Sequence, residues 1–285
     1  MGIHRLNIFD GKEISAFVID DPGQGQEHEK STIIIFGSWL ASPYGELPIE
    51  QLRGSGQSAF AQRGFKEIHI IPRKNHWYQC AEMLEVLDLV RQEIKGKNNW
   101  TYGGSMGGYA AINFSQKLNA NFIAFCPQFS VNPKVVPFEK RWVADQTSID
   151  FMCDYLWQRV NRFGFVFFDP YSIDLKHAEL IKDHTSAVLI SCPFAGHNLL
   201  KYIQETYGLL NLVLHLVQYE MMPASFRVTQ RMKRGSSALY LTQLYMHSLK
   251  RKNSRKNQEL FKIFLERLRI KLQKLSKETC PKTGS

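Results

Sequence analysis

Short apolar runs alternate with amphipathic stretches through the first two thirds of the chain. Ile33–Phe36, inside STIIIFGSW, is apolar at every position, as a strand covered on both faces must be. EIHIIP (67–72), NWTYGG (99–104), NFIAFCP (121–127), FGFVFF (163–168) and SAVLISCPF (186–194) read as further buried strands. Between them, GQSAFAQRGF (56–65) predicts a short helix, and CAEMLEVLDLVRQEIKG (80–96) spaces Met83, Val86, Leu87, Val90 and Ile94 at helical intervals. MGGYAAINFSQKL (106–118) and SIDLKHAELIKD (172–183) predict helices too. At the start, HRLNIF and EISAFVI flank Asp10-Gly11, a dipeptide suited to a hairpin turn. A hairpin followed by alternating strands and helices is an α/β arrangement with a mostly parallel central sheet and helices on both faces.

From about Asn198 the pattern turns helical. ALYLTQLYMHSL and QELFKIFLERLRIKLQKL are amphipathic and joined by KRKNSRKN, which predicts a helical hairpin appended to the sheet. The charge divides at the same place. The formal net charge is +10, yet from Arg227 onward there are 16 Lys and Arg against three Glu, so the remaining body is slightly acidic. The expected organisation is therefore an α/β unit over 1–215, with an aromatic lid-like insertion at 128–162, and a basic helical region over 216–285. Basic helices of this kind suit an anionic membrane surface or an acidic polysaccharide, the competing reading being an ordinary solvated face. No DNA- or RNA-binding motif is present, so no specific nucleic-acid partner is expected.

GLLNLVLHLV (208–217) is too short to span a bilayer and carries Asn211 and His215. The first residues lack the apolar core of a secretory signal, and the five cysteines are scattered without a CxxC. These features predict a cytoplasmic protein with reduced thiols, peripheral to the membrane if its basic end docks there, and neither a metal site nor a cofactor.

The densest chemical signal is NNWTYGGSMGGY at 98–109. Gly103-Gly104-Ser105-Met106-Gly107 fits G-x-S-x-G between a predicted strand and a predicted helix. A strand that turns abruptly into a helix exposes the serine Oγ at its apex, and side chains two positions either side would collide there. The competing readings are a purely structural turn or a phosphate-binding loop. The spacing misses G-x-G-x-x-G, and GK[ST] is absent. Partners for a nucleophile should follow on loops after later strands. Asp169 directly follows FGFVFF, and His197 follows SAVLISCPFAG. His197 would act as general base and Asp169 as its orienting acid, with Asp174 as the alternative. His177 and His184 lie within or just after a predicted helix and read as packing or surface residues. The Met106 N–H suits one oxyanion donor, and the Ser38 or Trp39 N–H, freed by Gly37, suits the other. Asn75, His76, Trp77 and Tyr78 follow another strand end; they read either as a polar-aromatic substrate pocket or as a loop packing its aromatics inward.

The elbow, Asp169, His197 and the element order together resemble the α/β-hydrolase superfamily over roughly residues 1–215. More narrowly, GGSMGGYAA, FCPQFSVNP, VPFEKRW and DPYSIDLKHAE resemble a group of poorly characterised bacterial hydrolase-like proteins. That group is associated with polysaccharide and glycoconjugate genes. The resemblance implies a serine esterase, deacylase or acyltransferase acting on a glycan, lipid conjugate or small-molecule ester through an acyl-serine. The alternatives are transfer of the acyl group to a sugar hydroxyl, or a non-catalytic binding or scaffold protein on the same fold.

Overall fold

The structure, a computed structural model, describes residues 2–23, 31–94, 96, 98–250 and 254–278. Its strands are β1 (His4–Asp10), β2 (Ile14–Asp20), β3 (Thr32–Phe36), β4 (Lys66–Pro72), β5 (Trp100–Gly104), β6 (Asn121–Phe125), β7 (Val160–Phe168) and β8 (Thr185–Ser191). They form one eight-stranded sheet in the order β1-β2-β4-β3-β5-β6-β7-β8. Only the β1–β2 and β2–β4 pairings are antiparallel; from β4 through β8 every pairing is parallel. The C-terminal ends of β3, β5, β7 and β8 therefore lie along one edge, where an open α/β sheet places its ligands.

The Asp10-Gly11 turn is wider than the dipeptide alone predicts. Asp10 pairs with Ser15, and the Gly11 N–H donates to Ile14 O at 2.9 Å. The carboxylate of Glu82 accepts the next three backbone N–H groups, those of Lys12, Glu13 and Ile14, and takes the place of a tight turn.

The helices are α1 (Glu82–Glu93), α2 (Met106–Ser115), α3 (Val143–Gln146), α4 (Asp174–His184), α5 (Leu199–Thr206), α6 (Leu209–Tyr219), α7 (Phe226–Lys233), α8 (Ala238–Lys250) and α9 (Ser254–Glu278). The expected helix over 56–65 shrinks to a single tight turn at Ala61–Arg63. The reason is Glu67, buried on β4, whose carboxylate captures the N–H groups of Ser58, Phe60 and Ala61. Those donors are then lost to any helical ladder.

Each face of the sheet carries its own core. On one, Ile34, Phe36, Ile68, Ile70, Phe122 and Val166 pack against Met83, Val86 and Val90 of α1, the whole of α2, and Ala178 and Ile181 of α4. On the other, Ile33, Ile35, Tyr102, Phe125 and Phe167 meet Leu199 and Ile203 of α5, Leu212 and Leu216 of α6, Phe226 of α7 and Leu241 of α8. Helix α9 pairs with α8, where Tyr245 stacks on Phe261. Among the described residues, no helix is long and apolar enough to cross a membrane.

Candidate active site

Ser105 sits at the junction of β5 and α2 with φ 52° and ψ −122°, a region that L-residues rarely occupy. The surrounding glycines make this possible. A Cβ on Gly103 would lie 2.3 Å from Gly107 O, and one on Gly107 would lie 2.4 Å from Phe36 O. With those positions bare, the turn closes tightly and the serine hydroxyl stands at the exposed apex. Met106 begins α2, so its N–H has no acceptor within the helix.

His197 lies beyond β8, and its Nε2 is 2.8 Å from Ser105 Oγ. The carboxylate that meets its other nitrogen belongs to Asp174, with Oδ2 3.2 Å from Nδ1. This corrects the assignment of Asp169 from its position at a strand end. Asp169 is 2% exposed, and its oxygens are taken by backbone donors: Tyr171 and Phe194 N–H on Oδ1, Gly196 N–H on Oδ2. Asp169 is a clip that ties the β7 loop to the loop carrying His197. Its carboxyl is pushed up, chiefly by burial, although those three N–H groups oppose the shift. Asp174, five residues on and in the first turn of α4, has the reach that the strand-end residue lacks.

Burial would also raise the Asp174 carboxyl, but the His197 hydrogen bond and the charges of His197 and Arg141 together hold it below the ordinary range. Arg141 Nη1 donates to Asp174 Oδ1 at 2.7 Å, while its Nε and Nη2 donate to Glu139. Glu139 also bonds Nε2 of His177 at 2.9 Å, and His177 Nδ1 accepts the Phe129 N–H. His177 is thus a buried packing residue, while His184 caps its own helix through Leu180 O. Arg141 Nη1 also approaches His197 Nδ1 to 3.3 Å. Since a guanidinium only donates, Nδ1 cannot both donate to Asp174 and accept from Arg141. The carboxylate 3.2 Å away favours the proton on Nδ1, which leaves Nε2 free to accept from the serine. Arg141 and Glu139 lie in the VPFEKRW string of the irregular segment between β6 and β7.

The loop after β3 passes over the elbow. Gly37 N–H donates to Ile70 O, and Leu40 N–H to Asn75 Oδ1. The N–H groups of Ser38 and Trp39 make no hydrogen bond among the described residues, while Ser38 Oγ donates to Gly104 O at 2.9 Å. The two expected second donors are therefore both left unspent.

The 75–78 side chains are engaged within the protein, as a loop packing its aromatics inward. Asn75 brackets Leu40, accepting its N–H and donating to its carbonyl, each at 2.8 Å. His76 bonds the Glu13 carbonyl, and burial lowers its imidazole pKa. Trp77 and Tyr78 are both 0% exposed, and the Tyr78 hydroxyl donates to Gly37 O. These side chains support the loop from beneath because their aromatic surface is more stable in the core than at the rim. The aromatic wall comes from elsewhere. Trp142 packs 6.1 Å from the His197 ring and 5.6 Å from Trp39. Asp145 Oδ2 accepts both the Trp39 and Trp77 indole N–H groups at 3.0 Å. Trp39 remains 39% exposed.

Among the described residues, Cys126, Asp174 and His197 bring possible metal-ligand atoms within 4.8 Å of one another. The Arg141 guanidinium against Asp174 opposes a cation there, and burial keeps the Cys126 thiol protonated.

A serine on a sharp turn after β5, facing a histidine past the last strand of a mostly parallel sheet, settles the architecture. The fold is that of the α/β-hydrolases. No protein-family model matches the chain, and no curated protein matches it. Solved structures do overlap with it. An esterase from Thermogutta terrifontis shares 14% identity, with 78% of this chain and 94% of that one covered at a TM-score of 0.46. The acylaminoacyl peptidase of Pyrococcus horikoshii shares 9% identity over 80% of this chain and 43% of its own, at 0.47. Dipeptidyl peptidase 4 of Porphyromonas gingivalis shares 11% identity over 66% of this chain, at 0.44. The chain spans 31% of that peptidase's length.

Proposed function

We propose that the protein is a serine-dependent hydrolase of carboxyl esters, with Ser105 as nucleophile, His197 as general base and Asp174 as the orienting acid. The observation that carries this reading is the Ser105 Oγ to His197 Nε2 distance of 2.8 Å, with Asp174 on the far nitrogen. In the first half-reaction Oγ bonds to the ester carbonyl carbon as its proton passes to Nε2. The Met106 N–H and an N–H of Ser38 or Trp39 receive the developing oxyanion. His197 then gives its proton to the leaving alkoxide as the carbon–oxygen bond breaks, leaving an acyl-serine. Water, deprotonated by His197, attacks that ester, and the serine recovers its proton as the acid departs.

The His197 side chain is 31% exposed, so water has access to the acyl-enzyme. This favours hydrolysis over transfer to a sugar hydroxyl, which requires a water-shielded acceptor site. The substrate is best read as an acylated glycan, because Trp39, packed on the Trp142 that adjoins His197, offers a partly exposed indole for the apolar face of a sugar ring. The test is turnover of a panel of acetylated sugars and simple activated esters. Ser105→Ala should abolish all of it, and a serine-directed phosphonate should label Ser105. Trp39→Ala should raise KM for the sugar esters alone. An unlabelled serine, or unchanged rates in Ser105→Ala, would remove the proposal.

A further inference from the structure

A polar cavity of about 110 Å³ opens beyond the end of β8. Its lining includes Ser191 and Tyr202 together with Arg227, Gln230, Arg231 and Arg234. The arginines recur at intervals of four and three, which sets them on one side of α7 and the turn after it. No acidic residue lines the cavity, and none of the three guanidinium groups makes an ion pair among the described residues. Tyr202 is 2% exposed as a residue, and its hydroxyl, which makes no hydrogen bond among the described residues, is open to the cavity. Burial raises its pKa, so the phenol keeps its proton and can donate.

We infer that this cavity is a binding site for a phosphoryl group, held by Arg227, Arg231, Arg234 and the Tyr202 hydroxyl. Three guanidinium charges without a carboxylate partner, Arg234 lying also 5.2 Å over the Tyr240 ring, exceed what one carboxylate, with two oxygens and a single charge, would satisfy. A phosphate monoester or diphosphate supplies two or more charges and acceptor oxygens in several directions, which matches converging forks. The space suits the phosphoryl group itself, with the rest of the ligand left outside. Two sources share this chemistry: a soluble phosphate ester and a phospholipid headgroup. Val228 and Met232, 59% and 81% exposed, flank the arginines on α7 and would meet the acyl region in the second case.

The experiment measures binding of the full chain to inorganic pyrophosphate by calorimetry, and to sedimenting vesicles of phosphatidylcholine with or without phosphatidylglycerol. Binding in either arm is expected to weaken with added salt. It should fall by about tenfold or more in Arg231→Gln and Arg234→Gln, and less in Tyr202→Phe. Arg→Lys variants keep the charge but should recover only part of the affinity, because they lose the fork. Pyrophosphate binding indicates the soluble source. Binding only to anionic vesicles, weakened by Val228→Ser with Met232→Ser, indicates the headgroup. Arg231 is exposed, so its variants should keep the parental unfolding temperature. Ser105→Ala should bind as the parent does, which separates this site from the esterase reading. No binding in either arm, or binding indifferent to the arginines, overturns the inference.

Discussion

The Arg141 guanidinium stands 2.7 Å from one oxygen of Asp174, whose other oxygen faces the His197 ring at 3.2 Å. The carboxylate proposed to orient the base is thus held from two sides, and a cation lies within contact distance of the imidazole. Removing that cation takes away one of the charges that hold the Asp174 carboxyl low. In Arg141→Gln that carboxyl should rise, and the acid limb of kcat/KM should move to higher pH. A pH–rate profile checks this; a uniform loss of activity without a moved limb would mean that Arg141 acts only through packing.

Asp174 and Asp169 should separate cleanly. Asp174→Asn should lower kcat by about 10³–10⁴ with little change in KM, because the amide no longer fixes the productive tautomer. Asp169→Asn should mainly cost stability, since an amide cannot serve all three backbone donors that the carboxylate now accepts. Steady-state kinetics with thermal unfolding of both variants makes the comparison. A catalytically dead Asp169→Asn with native unfolding behaviour would reverse the assignment.

Acid should unfold the protein partly through Glu139 and Asp174. Both carboxyls are held low despite burial, Glu139 by the hydrogen bonds of His177 and Arg141, Asp174 by those of His197 and Arg141 together with their charges. Near pH 4 the unfolded chain therefore binds more protons than the native one, so stability rises with pH through that region. The contribution is full above the ordinary carboxylate range and is lost as pH falls toward the native values. Asp169, pushed up, works in the opposite sense. The urea midpoint should fall between about pH 5 and pH 3, and fall less in Glu139→Gln even if that variant is weaker at neutral pH.

The elbow tolerates no added methyl. Gly107→Ala places a Cβ 2.4 Å from Phe36 O, so either the turn or the end of β3 must shift. A loss of about 1–3 kcal/mol in unfolding free energy is expected, with activity falling further because the same shift displaces Ser105. Denaturant titration and ester turnover on one preparation test both parts.

Asn75 reaches the reaction only through Leu40, which it grips at both backbone groups. Asn75→Ala should reduce kcat about tenfold or more, with KM for a short ester little changed, by loosening the loop that presents Ser38 and Trp39. Asn75→Asp keeps the acceptor for Leu40 N–H and should recover part of the rate. Equal loss in both variants would argue for a general unfolding of the loop.

Much of this was legible from the chain because it depends on local chemistry. Fully apolar runs specify central strands, and the glycines around Ser105 specify a close backbone approach that few other residues permit. The acid was harder. Asp169 has the right place in the order of elements, and only the direction of its carboxylate, toward three backbone N–H groups, disqualifies it. Position along a strand does not encode direction. The same limit applies to Trp77 and Tyr78, whose place after β4 suggested a pocket, although burial in the core is the more stable use of their surface. Arg141 and Trp142 come from an irregular segment without periodicity, so no pattern could have brought them to His197.

The loop bearing His197 leans on α8. Phe194 contacts the rings of Tyr240 and His247, His247 also meets Tyr171, and any Cβ on Gly196 would strike the Gln243 side chain. Shortening the gene product ahead of Ala238 would strip away the backing of the general base while leaving every strand intact. Under the proposed chemistry, a fragment that turns over an ester should therefore extend at least through His247, and the histidine's footing is supplied by a helix outside the sheet.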